Sequence, residues 1–210
     1  MPRAFTTKRV SQKRNSDFSF ANERREQTRF PGFTLIEVVI TVALSAILML
    51  AITQLYVVYG RVILFQKSSI DVALGASGII DAVRAAGLQA KQVVATHTFS
   101  GVSYTSGTTT ALFELPAIDA SGAIVPNAYD YIGIHASGTS VYRLIDVAPG
   151  SARPSGTKQL TKVLDALSFV YDNPSFPSVT NITVDATTSA MVRGETAQTH
   201  LRGHIYLRNL

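Results

Sequence analysis

The 210-residue chain is long enough to bury a core of ordinary domain size, and its 46% hydrophobic and 16% charged residues suit a globular chain that carries a membrane segment. It has no cysteine, which excludes a disulfide framework and a thiolate-held metal. The net charge of +5 lies entirely in residues 1–32, where eight basic groups face three acidic ones, so a basic face on the rest of the chain, and with it nucleic acid as a partner, is not expected.

Residues 1–32 are polar and rich in Arg, Asn, Gln and Ser, without apolar periodicity; they read as a disordered basic leader. Residues 33–59 follow as an apolar run broken only by Thr34, Glu37, Thr41, Ser45, Thr53 and Gln54. As a helix rising ~1.5 Å per residue, the run reaches about 40 Å, more than the ~30 Å hydrocarbon core of a bilayer. Tyr56 and Tyr59 stand at its outer end, where an interfacial belt belongs. Residues 13–32 hold five basic groups and residues 61–80 only two, so the positive-inside rule keeps the leader in the cytoplasm and exports residues 61–210.

From Arg61 to about Gln92 the helical period continues. Ile63, Ile70, Leu74, Ile80, Val83 and Leu88 predict an amphipathic extension, placed at 60–96. Gly75, Gly78 and Gly87 weaken this helix by up to ~1 kcal/mol each relative to alanine, so it must lean on another surface. Residues 97–210 turn to Thr, Ser, Gly and Pro around short apolar runs. Strands are expected at Ala111–Leu115, Tyr129–His135, Ser140–Ile145, Ala166–Tyr171, Thr180–Asp185 and Thr199–Arg208. In the last, Leu201, Gly203, Ile205 and Leu207 alternate with His200, Arg202, His204, Tyr206 and Arg208. The expected fold is α+β: one long N-terminal helix whose outer half packs on an antiparallel sheet.

The most informative residues are Pro31-Gly32-Phe33-Thr34-Leu35-Ile36-Glu37-Val38. A secretory signal peptide puts small residues after an apolar stretch of ~7–15 residues; here Pro-Gly precedes a stretch nearly twice that length. Glu37 is the only charge between Phe33 and Gly60. A carboxylate inside a membrane helix is costly, and the positive end of the helix dipole offsets that cost only in part. A cationic partner is therefore expected, and cleavage after Gly32 would create one in the α-amino group of Phe33, most usefully that of a neighbouring parallel helix.

Gly32-Phe33-Thr34-Leu35-Ile36-Glu37 resembles the processing motif of type IV pilins and type II secretion pseudopilins. The resemblance implies cleavage between Gly32 and Phe33 by a membrane prepilin peptidase, then methylation of the Phe33 amine with S-adenosylmethionine held by that enzyme. It gives Glu37 the role of setting register between subunits. The implied partners are other pilin or pseudopilin subunits, the prepilin peptidase and N-methyltransferase, an inner-membrane assembly platform and membrane lipid. Lys162–Asp172 and Ile205–Leu210 are similar to the C-terminal part of W-type minor pilins and J-type pseudopilins. The 32-residue leader is longer than in many members, and both the proline within the span and the C-terminal cysteine pair of many major pilins are missing, absences that favour a minor subunit or pseudopilin over a major pilin.

Other signals carry less. His200 and His204 share a face, but on a strand they lie about 13 Å apart, too far for one metal ion. Asp172-Asn173 before Pro174 reads as an Asx turn before it reads as a calcium corner. Asn181-Ile182-Thr183 fits a glycosylation sequon, a triplet common by chance. No phosphate loop, zinc-protease or serine-hydrolase motif is present, so no catalytic residue, cofactor or metal is assigned. The expected function is that of a minor pilin or pseudopilin precursor, single-pass in the inner membrane and then part of a pilus or periplasmic pseudopilus. The alternatives are a membrane-tethered exported enzyme and an exported binding module of the DNA-uptake or adhesin kind.

Overall fold

The computed structural model describes residues 32–208, so residues 1–31 and Asn209 and Leu210 lie outside the described residues. The chain divides into two compact units, Met1–Met49 and Leu50–Leu210. A single helix, α1 (Leu35–Gly87), begins in the first and ends in the second. No proline occurs between Pro31 and Pro116 to interrupt it.

Burial on α1 starts late. Its buried residues are Val72, Gly75, Ala76, Ile79, Ile80, Val83, Ala86 and Gly87, at helical spacing, whereas the apolar side chains before Val72 are exposed or half-buried. The stripe expected from sequence is therefore divided between two faces. Ile80 and Val83 are in the core, but Ile63, Ile70 and Leu74 remain 47%, 59% and 64% exposed, and Leu88 is exposed too. At about 100° per residue, Ile63, Ile70 and Leu74 lie on the side of the helix opposite Val72, Ile79 and Val83.

Helix α1 ends earlier than the expected extension to residue 96. Leu88 N–H still donates to the Arg84 carbonyl, and Gln89 and Ala90 donate to Ala86 and Gly87 in a tightened last turn. Lys91 and Val94 then donate to the carbonyls of Glu114 and Leu112, so a sheet edge takes the backbone that helical periodicity alone had assigned to α1.

Among the described residues ten strands follow: β1 (Gln92–Val93), β2 (Thr96–Phe99), β3 (Val102–Thr105), β4 (Thr110–Ile118), β5 (Ile124–Ser137), β6 (Ser140–Asp146), β7 (Gly156–Thr161), β8 (Leu164–Tyr171), β9 (Asn181–Val192) and β10 (Glu195–Tyr206). The six expected strands correspond to β4, β5, β6, β8, β9 and β10; β1, β2, β3 and β7 are additions. All pairings are antiparallel, and they form more than the one sheet expected. The first sheet has the order β1-β4-β5-β6-β7, the second β10-β9-β8, and β2-β3 is a separate hairpin.

Helix residues Ile79, Val83 and Ala86 share one core with Phe113 and Ile134 of the five-stranded sheet and with Phe169, Val184 and Ile205 of the three-stranded sheet. On the other face of the five-stranded sheet, Phe99 packs with Leu112 and Leu144. Leu112 and Phe113 thus point to opposite faces and both are buried, which is why Ala111, Leu112 and Phe113 are apolar in succession where a half-exposed strand would alternate.

Two glycines let the sheets approach α1. A Cβ at Gly75 would lie 2.6 Å from Thr161 Oγ1, and one at Gly87 would lie 2.6 Å from Ile205 Cγ2. Gly78 has open space where its Cβ would be. Beside Gly75, the buried Thr188 hydroxyl donates to the Val72 carbonyl of the helix at 2.7 Å.

At the far end of α1, the fully buried Asp130 of β5 accepts from Arg153 Nη1 at 2.6 Å, from Ser151 Oγ at 2.7 Å and from the Ala148 amide at 2.9 Å. The same arginine reaches the Pro116 carbonyl and Gln89 Oε1 just past the helix. The ion pair ties the β6–β7 loop, β4 and the end of α1 together.

Candidate functional site

The sequence motif occupies the start of α1. Thr34 precedes the first helical residue, Leu35, and Glu37 is the third. The Thr34 amide donates to Glu37 Oε2 at 2.8 Å, the Thr34 hydroxyl donates to the same oxygen at 2.9 Å, and the Glu37 amide donates to Thr34 Oγ1 at 3.3 Å. This is a reciprocal capping box, in which each partner satisfies a backbone donor that the helix itself leaves open. The sequence reading gave Glu37 an intermolecular partner and missed this intramolecular one, although Thr-x-x-Glu before an apolar run carries its signature. Both donors use Oε2, and Oε1 accepts no hydrogen bond from the described residues.

The other polar groups near the helix start are turned inward to the backbone. Thr41 Oγ1 donates to the Glu37 carbonyl at 2.6 Å and Ser45 Oγ to the Thr41 carbonyl at 2.7 Å, the bonding that lets hydroxyls reside in an apolar helix. Thr34, Glu37, Thr41 and Ser45 follow one another at spacings of three and four, so they share one side of α1.

Gly32 and Phe33 lie just outside the helix and are exposed, Phe33 to 87%. Nothing stands within 4 Å of where a Gly32 side chain would begin, and its φ is not in the left-handed region. Among the described residues the fold gives no reason for glycine there. Proline 31, the preceding motif residue, lies outside the described residues.

The residues set aside earlier have local partners. His200 Nε2 lies 3.3 Å from Asp185 Oδ1, and His204 Nδ1 lies 3.0 Å from Thr183 Oγ1. Arg202 Nε donates to Asp185 at 2.6 Å, and this hydrogen bond, more than the nearby charges, holds the Asp185 carboxyl below its usual range. Asn173 Oδ1 accepts from the Ser175 amide, an Asx turn, while Asp172 accepts from the Thr180 hydroxyl and amide. Among the described residues no group of three or more His, Asp or Glu side chains is placed to hold a metal ion.

One polar cluster was not legible in the sequence. His97 stacks on Tyr131 with ring centroids 3.8 Å apart and contacts Asp146 at 3.0 Å. Glu114, next in line, lies 3.5 Å from both the Tyr131 hydroxyl and Lys91 Nζ. These side chains use one another as partners across β2, β4, β5, β6 and the residue before β1, an arrangement that ties these elements together.

Residues 28–53 match the family model of the prokaryotic N-terminal methylation motif. No curated protein and no solved structure matches the chain. The matched segment contains Gly32, Phe33 and the Thr34–Glu37 box, and it runs into the helix that is long and apolar enough to cross a membrane. The chain thus carries a prepilin-type N-terminal methylation motif on an α+β body, an arrangement consistent with a type IV pilin-like protein.

Proposed function

We propose that the chain is the precursor of a minor pilin or pseudopilin, a structural subunit of a type IV pilus or a type II secretion pseudopilus. It is held in the inner membrane with its N-terminus inside and residues 61–210 exported, cut between Gly32 and Phe33, methylated on the new amine, and passed by an assembly platform into a filament of like subunits. The domain plan is a leader over 1–32, a membrane-spanning part over 33–59, an amphipathic continuation and an exported β-rich part.

The observation that carries this reading is the division of α1 into two faces. One face is buried under the sheets from Val72 onward, yet the opposite face continues the apolar surface of the span through Ile63, Ile70 and Leu74. Leaving that surface in water is unfavourable, and packing against the helices of other subunits removes it. In such a stack Glu37 Oε1 is available to a neighbour's Phe33 ammonium while Oε2 keeps the helix start capped.

The test is intact-mass analysis of the membrane-extracted protein together with filament formation. A mature chain beginning at a methylated Phe33 supports the reading. A chain that keeps residues 1–32 with an unmodified start overturns it.

A further inference from the structure

The β9–β10 ribbon is longer than its neighbour. Strand β8 pairs with β9 only as far as Thr188, the Ser189 amide still reaches the Val163 carbonyl, and beyond that point Ala190–Val192 pair with Glu195–Ala197 alone. Gly203 packs against Ile80 and Thr188 against Val72, so the ribbon runs back along α1 towards its membrane end. Its tip turns at Arg193 and Gly194, both with positive φ as a two-residue hairpin turn requires.

The tip and the helix enclose an open groove of about 470 Å³ lined by Val58, Val62, Phe65, Val192, Arg61, Arg193 and Glu195. Its floor is apolar and two guanidinium groups stand in its wall against one carboxylate. Among the described residues neither Arg61 nor Arg193 is held in an ion pair. The groove begins where the apolar run ends: from Tyr59 to Phe65 the helix rises only about 9 Å, comparable to the headgroup layer beyond the hydrocarbon core.

We propose that this groove holds the phosphate of a membrane phospholipid, with Arg61 and Arg193 on the phosphate and the upper acyl methylenes on Val58, Val62 and Val192. Guanidinium groups suit phosphate because they donate in a planar fork, and long side chains at a membrane boundary reach readily into the headgroup layer. The ribbon tip is then a second point of membrane contact, beside the helix. The proposal rests on residues 33–59 lying in the bilayer, and the test is arranged to separate the two.

The chain contains no tryptophan, so one introduced indole reports alone. In the full-length chain, Met191→Trp places it next to groove residue Val192, Ile124→Trp at the start of β5, and Leu48→Trp in the span. Each is reconstituted in phosphatidylcholine vesicles with upper-chain brominated lipids, with and without phosphatidylglycerol. The expected result is strong quenching at position 48, quenching at 191 that saturates with phosphatidylglycerol, and little at 124. Arg61→Gln and Arg193→Gln should each raise the phosphatidylglycerol needed for half-saturation roughly five-fold. Quenching at 48 with position 191 no better quenched than 124 overturns the groove and leaves the span standing. Quenching at 191 that ignores both arginines removes the phosphate role, and protection that grows with protein-to-lipid ratio gives the groove to a second copy of the chain. No quenching at 48 overturns the span and the groove together.

Discussion

The amide and hydroxyl of Thr34 converge on one oxygen of Glu37, at 2.8 and 2.9 Å. The motif glutamate therefore has an intramolecular task before any neighbour arrives, and charge and capping can be separated. Glutamine serves in a capping box as glutamate does, but carries no charge. Glu37→Gln is expected to insert, be cleaved and keep its helix start while assembling poorly, whereas Glu37→Ala loses the cap as well. Filament yield by sedimentation and mature mass measure the two effects; wild-type assembly of the glutamine variant would contradict neutralisation by a neighbour's amine.

Gly32 has room for a side chain in the fold, so its replacement tests processing and not folding. Under the proposed processing, Gly32→Val is expected to leave the stability of the β-rich part unchanged and to block cleavage, seen as retention of the full precursor mass.

The helix glycines should respond with opposite signs. Gly78→Ala adds a methyl in open space and should stabilise the chain by up to about 1 kcal/mol. Gly75→Ala and Gly87→Ala drive a methyl into Thr161 and Ile205, and overpacking of this kind costs about 1–3 kcal/mol. Urea titration of the detergent-solubilised chain distinguishes the signs.

Asp130 is fully buried and paired with an arginine whose side chain is mostly buried. Asp130→Ala strands that cation and should cost about 3–5 kcal/mol. Loss of the aspartate should also free the β6–β7 loop, visible as faster amide exchange at Ala148, whose amide loses its acceptor.

The acid limb of stability has a definite sign. Asp185, bonded to Arg202, and Asp172, bonded to Thr180, both have carboxyls held below the usual value when folded. Their contribution is complete above the ordinary carboxylate range near ~4 and is lost as pH falls through the lower folded values. His135 acts at higher pH: burial lowers its affinity for a proton, so stability begins to fall as pH drops below ~6.5, where the unfolded histidine protonates first. Asp185→Asn should flatten the first limb and His135→Gln the second, in denaturation midpoints taken from pH 8 to 3.

Strand β10 was readable because one face is buried and the other wet, so Gly203 and Ile205 alternate with Arg202 and His204. Strand β4 was readable as an apolar run, but not its reason, since the β2–β3 hairpin that covers Leu112 is short and rich in Thr and Ser. The helix faces were read wrongly because two apolar surfaces, one for the core and one left open, both repeat at helical spacing. The motif at Gly32–Glu37 was legible because its residues are consecutive, whereas Asp130 and Arg153, 23 positions apart, meet only through the fold.

The Thr188 hydroxyl and the Val72 carbonyl are joined across 116 positions of the chain. Because synthesis proceeds from the N-terminus, this side of the helix lacks part of its cover until β9 and β10 have been made. A polypeptide that stops before residue 180 would keep Phe113, Ile134 and Phe169 beside Ile79 and Val83 but would lack Val184 and Ile205, and Val72 would lack Thr188. Complete cover for that side of the helix therefore waits on β9 and β10.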